Sequence, residues 1–264
     1  MNGLDAAATL AGPAAWALLA VAAFGAGVLN AIAGGGSFLT LPALVFTGVP
    51  PIAANATSAL AVSPGYLGSV WGFRSELKAL DPRLLRREAL LASVGGVAGA
   101  MLLLVTPAKV FSGLIPWLLL FATVLFALGP RIAQLGQPGG AEGPTALARW
   151  RMPGLLLVSV YGGYFNGGLG ILLMALYTLT GEGRIHTANA LKNYNSFVLS
   201  ILSVVAFALA GAIVWPQAVL MMACATLGCV AGARLAKRLP ASWVRVLVIA
   251  TGLVMSAVFF SRQG

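Results

Sequence analysis

The sequence predicts an all-α polytopic integral membrane protein made of two inverted repeats, each a glycine-broken helical hairpin followed by three transmembrane helices. Three observations carry that expectation. Of 264 residues, 59% are hydrophobic and only 8% are charged, and the mean hydropathy is +0.94, so most of the chain cannot face water. Apolar stretches run over 13–48, 52–73, 89–105, 110–128, 152–180, 187–213, 217–233 and 244–260, each near or above the roughly 20 residues that a helix needs to cross hydrocarbon. Twice, a small-residue break interrupts such a stretch and is followed, nineteen residues after its last glycine, by Ala-Asn-Ala: Gly34-Gly35-Gly36-Ser37 leads to Asn55, and Gly167-Gly168-Leu169-Gly170 leads to Asn189.

The first stretch carries only Asp5 at its amino end, and no Lys or Arg occurs before Arg74. It lacks the basic region of a signal peptide and is expected to be mature structure. Residues 13–129 and 152–261 form two halves with the same order of a broken segment and three spans, which a duplicated unit explains. Between them, 130–151 reads as a cytoplasmic linker, rich in Gly and Pro around Gly136 to Pro144.

The sixteen Lys and Arg, with a sequence pI near 10.5, sit mainly in short connections. This is a topology signal rather than a nucleic-acid signal. If all eight stretches simply crossed, Arg74, Lys78, Arg83, Arg86, Arg87, Arg131, Arg149 and Arg151 would share one face while Arg234, Lys237, Arg238 and Arg245 fell on the other. If each broken stretch turns back as a hairpin, Arg184 and the 234–245 cluster join the first group, and only Lys109 and Arg262 oppose them. The second arrangement makes every basic cluster cytoplasmic, sets both termini outside, and inverts one half relative to the other. Its geometric difficulty is that residues 14–30 rise about 25 Å alone, nearly a full span.

Non-helical backbone survives at membrane depth only where protein buries it or water solvates it. The breaks therefore imply a polar cavity, into which the helices beginning near Ser37 and Leu169 would direct free amides and their positive dipole ends, an arrangement suited to an anion. Glycine lets a ligand approach those amides closely, although small residues also serve helix packing. The candidate binding residues are Asn30, Gly34, Gly35, Gly36, Ser37, Asn55, Thr57 and Ser58 in the first half, and Asn166, Gly167, Gly168, Gly170, Asn189, Lys192 and Asn193 in the second. Asn195 and Ser196 accompany them. Asn55 and Asn189 rank highest because they hold matching repeat positions. Lys192 either compensates an anion's charge or snorkels to the nearby interface.

All six carboxylates, Asp5, Glu76, Asp81, Glu88, Glu142 and Glu182, are expected at or beyond span ends. No interior Asp or Glu would then relay protons, leaving His186, Lys192 or the substrate itself for proton coupling, with sodium coupling through carbonyls also open. Cys224 and Cys229 read as small packing residues. No catalytic constellation, cofactor or metal set is evident.

Gly27-Val28-Leu29-Asn30-Ala31-Ile32-Ala33-Gly34-Gly35-Gly36-Ser37, Pro42 and Asn55-Ala56-Thr57-Ser58, together with Gly162 to Gly170 and Ala188-Asn189-Ala190-Leu191-Lys192, resemble the TauE/SafE sulfite exporter family, also called the toluene sulfonate uptake permeases. The resemblance implies transport of a sulfur-containing anion, such as sulfite, sulfoacetate or another organosulfonate, across a bacterial inner membrane. Without it, the residues lead to an anion-preferring secondary transporter working by alternating access. The partners expected are a small anion and the lipid bilayer, with no nucleic acid; a homodimer and a coupling ion stay open. A passive anion channel, and a membrane sulfur-relay protein using Cys224 and Cys229, are the rival readings.

Overall fold

The structure is a computed structural model that describes residues 12–32, 35–135, 147–235 and 241–261. Among these residues every regular element is helical. The first half holds α1 (Pro13–Ile32), α2 (Ser37–Phe46), α3 (Pro51–Gly72), the short α4 (Arg74–Lys78), α5 (Pro82–Val105) and α6 (Ala108–Leu135). The second holds α7 (Arg151–Tyr164), α8 (Leu169–Leu179), α9 (Ile185–Leu209), α10 (Trp215–Leu235) and α11 (Ala241–Ser261). Five of them, over 13–31, 82–105, 108–129, 185–209 and 215–232, are long and apolar enough to cross a bilayer.

Local chemistry sets these boundaries. Pro51 and Pro82 start α3 and α5 at positions where a missing amide hydrogen costs nothing. Asp81 caps α5 by accepting from the Arg83 amide at 2.9 Å. Gly168 adopts φ +75° at the entry to α8, a left-handed geometry that a side chain would strain.

Both glycine-broken stretches reverse direction. Gly36 lies against the Ala26 carbonyl and Gly25 against Leu39, so α2 folds back along α1. Gly162 lies against Leu169 and Gly154 against Leu176, so α8 folds back along α7. The second hairpin has arms of 14 and 11 residues, too short to span. In the first, α1 has 20 residues and α2 only 10. The length of α1 that strains a simple hairpin is thus real, and the turn follows a helix about as long as a span.

Each hairpin packs on the other half of the chain. On α10, Gly228 meets the Phe24 carbonyl and Gly232 meets Val28, while Gly27 of α1 meets Ala225 and Cys229, so α1 and α10 run side by side in the same direction. On α5, Gly95 meets Leu156 and Ser159 and Gly99 meets Val160 and Tyr164, so α5 and α7 also run side by side in the same direction. Small residues four apart allow this approach, and dispersion between closely packed backbones holds it in a solvent as apolar as the helices. The sequence offset that separates the two breaks also carries Gly95 and Gly99 onto Gly228 and Gly232. Helices α6 and α11 meet where Gly252 packs against Thr123; α3 and α9 meet through a 2.9 Å hydrogen bond between the Ser63 and Ser200 hydroxyls.

A methyl group on Gly99 would overlap the Val160 carbonyl oxygen, whereas one on Gly113 would meet nothing within 4 Å. Gly99→Val should therefore cost about 1 to 3 kcal/mol of stability, the usual penalty of overpacking. Thermal unfolding of the detergent-solubilised protein should show the loss, with Gly113→Val melting like the parent.

Candidate functional site

The two breaks meet. The Ser37 hydroxyl, at the first turn of α2, donates to the Asn166 carbonyl at 3.5 Å. The residues between α7 and α8 are extended at Phe165 and left-handed at Gly168, so their polar groups need partners outside their own chain segment. Helix α3 supplies two of them: Asn55 Nδ2 donates to the Tyr164 carbonyl at 3.1 Å, and the Tyr66 hydroxyl donates to Asn166 Oδ1 at 3.4 Å. Tyr161 supplies a third, its hydroxyl donating to the Gly167 carbonyl at 2.8 Å.

Asn166 is 4% exposed, and its Nδ2 has no hydrogen-bond partner among the described residues. A buried amide donor left unpaired costs about 1 to 3 kcal/mol, so such a group requires a partner or a purpose. Beside it, Gly35, Gly36, Ser37, Gly167, Gly168 and Gly170 are buried; the amides of Phe38, Leu39 and Thr40 bond the Gly35 and Gly36 carbonyls and those of Ile171 and Leu172 bond the Gly168 carbonyl, so the opening amides of Ser37, Leu169 and Gly170 are the ones that lie ahead of the first of these bonds. Asn30 closes the cluster on the α1 side, against Gly36 and Gly65. The arrangement concentrates neutral hydrogen-bond donors without a carboxylate next to them, which suits an anion. Gly34 lies outside the described residues.

Other candidates have different engagements. Thr57 accepts from the Val214 amide at 3.0 Å, tying α3 to the connection before α10, and Ser58 shares a 2.6 Å hydrogen bond with Thr40. Asn189 is half-buried and donates to the Ile185 carbonyl of its own helix at 3.0 Å, while Lys192 Nζ donates to Asn189 Oδ1 at 3.1 Å. The matched pair Asn55 and Asn189 thus differ: one supports the opposite half's break, the other holds a lysine near the start of α9. Asn193 is buried in α9. The two cysteines are free, and Cys229 Sγ donates to the Gly27 carbonyl at 3.3 Å in the contact between α1 and α10.

One expectation fails. Glu88 is not exposed at or beyond a span end: α5 begins at Pro82, earlier than the apolar stretch suggests, and Glu88, in its second turn, is 0% exposed. Arg151 Nε donates to its Oε1 at 2.8 Å; the Tyr177 hydroxyl and Asn195 Nδ2 donate to its Oε2 at 2.9 and 2.8 Å. Arg151 also lies 3.8 Å from Glu182, which lies 3.7 Å from Arg184. A count along the sequence misses this burial because the cover comes from α7, α8 and α9. The one signal available was a lone acid immediately before an apolar run, with an arginine at the opening of the second half.

The chain matches the family model described as Sulfite exporter TauE/SafE over residues 19–259. It is 29% identical over 243 residues to the "Probable membrane transporter protein ORF9" of Sinorhizobium sp, covering 91% of this chain and 90% of that one. It is 29% identical over 252 residues to a "Probable membrane transporter protein" of Haemophilus influenzae, covering 94% and 95%, and 28% identical over 235 residues to the "Probable membrane transporter protein YfcA" of Escherichia coli K12, covering 88% and 84%. No solved structure matches it significantly. A match that runs through both broken hairpins and all the long apolar helices makes this multi-pass membrane protein a transporter of the TauE/SafE family.

Proposed function

We propose that the protein is a secondary transporter that exports a sulfur-containing anion, sulfite or an organosulfonate such as sulfoacetate, by alternating access around the meeting point of the two breaks. The observation that carries this reading is the contact between Ser37 and Asn166, which joins the breaks of the two halves beside an unpartnered, buried amide donor. The substrate would accept from Asn166 Nδ2 and from the opening amides of Ser37, Leu169 and Gly170. Asn55 would hold the second break in shape, and Lys192 would supply positive charge on the path towards the start of α9. The printed family description names sulfite exporters, and a sulfonate or sulfite offers three or so acceptor oxygens to such donors.

The reading includes two inverted repeats, 13–129 and 152–261, with 130–151 as a cytoplasmic linker, in a bacterial inner membrane with both termini periplasmic. Its support is the reciprocal packing of α1 on α10 and of α5 on α7, each in the same direction, and the gathering of Arg149, Arg151 and Arg184 with the start of α5 at one face. An inside-negative membrane drives an anion outward by about 2.3 kcal/mol per charge per 100 mV, so export requires no coupled ion. A passive anion channel is the competing mechanism, and flux far above the pace of conformational cycling would favour it.

Thermal unfolding of the purified protein, followed by intrinsic fluorescence with sulfite, sulfate, thiosulfate, sulfoacetate, taurine and chloride, tests the substrate class. A ligand at about 100 times its Kd adds roughly 2.7 kcal/mol, an upward shift of roughly 5 to 10 °C for a chain of this size. One sulfur oxyanion should produce it, and Asn166→Leu should abolish it; no shift with any of them would sink the reading. Lys192→Ala should weaken the same response without abolishing it, and an unchanged response would remove the lysine from the site.

A further inference from the structure

The Glu88 cluster has no counterpart in the other half. The offset that carries Gly95 and Gly99 onto Gly228 and Gly232 carries Glu88 onto Met221, Tyr177 onto Leu44 and Arg151 onto Leu18, and the offset between the two Ala-Asn-Ala motifs carries Asn195 onto Ala61. Met221, Leu44 and Ala61 are fully buried, and Leu18 packs against the same apolar cluster. The two ends of the molecule are therefore held by different chemistry at matching positions. At the end where α5, α7 and α9 begin, a buried carboxylate of the first half is held by an arginine, a tyrosine and an asparagine of the second; at the other end, the four matching positions are apolar and carry no charge.

Every strong partner of Glu88 crosses between the halves, so separating α5 from α7, α8 and α9 strips it of all three donors at once. A buried charge deprived of its partners is strongly penalised, whereas exposed apolar side chains at the far end lose contact area gradually. The tie is also imperfectly satisfied. Asn195 Oδ1 and Arg151 Nη2 are buried with no hydrogen-bond partner among the described residues, although Nη2 lies 2.8 Å from Glu88 Oε1. The charged groups around Glu88 are Arg151 on α7 and, one step further, Glu182 and Arg184 in the connection from α8 to α9.

We propose that Glu88, Arg151, Tyr177 and Asn195 form an ion-pair gate that closes the basic end of the transport path, while the matching positions at the opposite end close without charge. The gate rests on the alternating-access reading of this transporter. Opening the basic end requires breaking one polar cluster in a single step, so that end opens as a switch. Its strength sets how the resting population divides between the two orientations of the path.

Cys229 serves as the reporter, because its Sγ lies beside Gly65, which Asn30 of the candidate site also meets, and Cys224→Ala leaves it as the one thiol of a chain with two cysteines. Full-length protein in membrane vesicles of the two orientations is labelled with a membrane-impermeant maleimide. In the Cys224→Ala background, Glu88→Gln should raise the labelling rate from the basic end by about tenfold, the change produced by ~1.4 kcal/mol in a two-state equilibrium, and lower it from the opposite end. Tyr177→Phe, which removes one donor and keeps the ring, should give a smaller change of the same sign. Reversing the pair, Glu88→Arg with Arg151→Glu, should return labelling towards the parent rate, a rescue that loss of folding does not allow. Labelling that rises equally from both sides, or that is unchanged in every variant, overturns the gate. Protection of Cys229 by sulfoacetate in the parent vesicles reads the substrate site separately: protection without a gate response leaves the transport reading standing, and a gate response without protection leaves the gate standing.

Discussion

Everything in this architecture depends on covering backbone that is not helical. In hydrocarbon an unpaired amide or carbonyl costs several kcal/mol, and the chain interrupts two of its apolar segments. The second break meets this constraint with side chains from elsewhere: Asn55 on the Tyr164 carbonyl, Tyr161 on the Gly167 carbonyl and Ser37 on the Asn166 carbonyl. Two of those three come from the first half. With these carbonyls satisfied, the Asn166 Nδ2 donor is left unpaired among the described residues, and on the proposed reading that donor is where the anion would bind.

The breaks are brought together by glycine faces. Where Gly27, Gly228 and Gly232 join α1 to α10, and Gly95, Gly99 and Gly163 join α5 to α7, backbones approach more closely than any larger residue permits. Such seams are sensitive to volume but not to charge. Against that apolar background the Glu88 cluster is an exception, an ion pair with two hydrogen-bonding neighbours sunk between helices of different halves. Its cost is recovered only when all partners are in place, which gives this contact a sharpness that the glycine seams lack.

Much of this was legible in the sequence, for identifiable reasons. The apolar stretches gave the helices because bilayer thickness imposes their length, and the glycine breaks with the distribution of basic residues gave the two reversals, since a straight crossing scatters the charges. The meeting of Ser37 with Asn166 was legible only as two motifs of similar character; their contact depends on the packing of α1 and α7. Repeat logic treated Asn55 and Asn189 as equals, yet one reaches the opposite half while the other stays on its own helix. Glu88 was misjudged because hydropathy ends a span where charges begin, whereas α5 extends through Arg86 and Arg87 and buries the next residue under three helices that follow much later in the chain.

The exchanged seams also bear on how the molecule is made. The glycine face of α5 finds its partner in α7, and that of α1 must wait for α10, which is synthesised near the end of the chain. Neither half therefore owns a finished interior while it emerges. The first hairpin enters the bilayer with its broken backbone uncovered by its eventual partners, and for most of synthesis lipid, water or the insertion machinery must occupy the place that α10 later takes. Assembly is thus complete only when a late helix of the chain closes against its first.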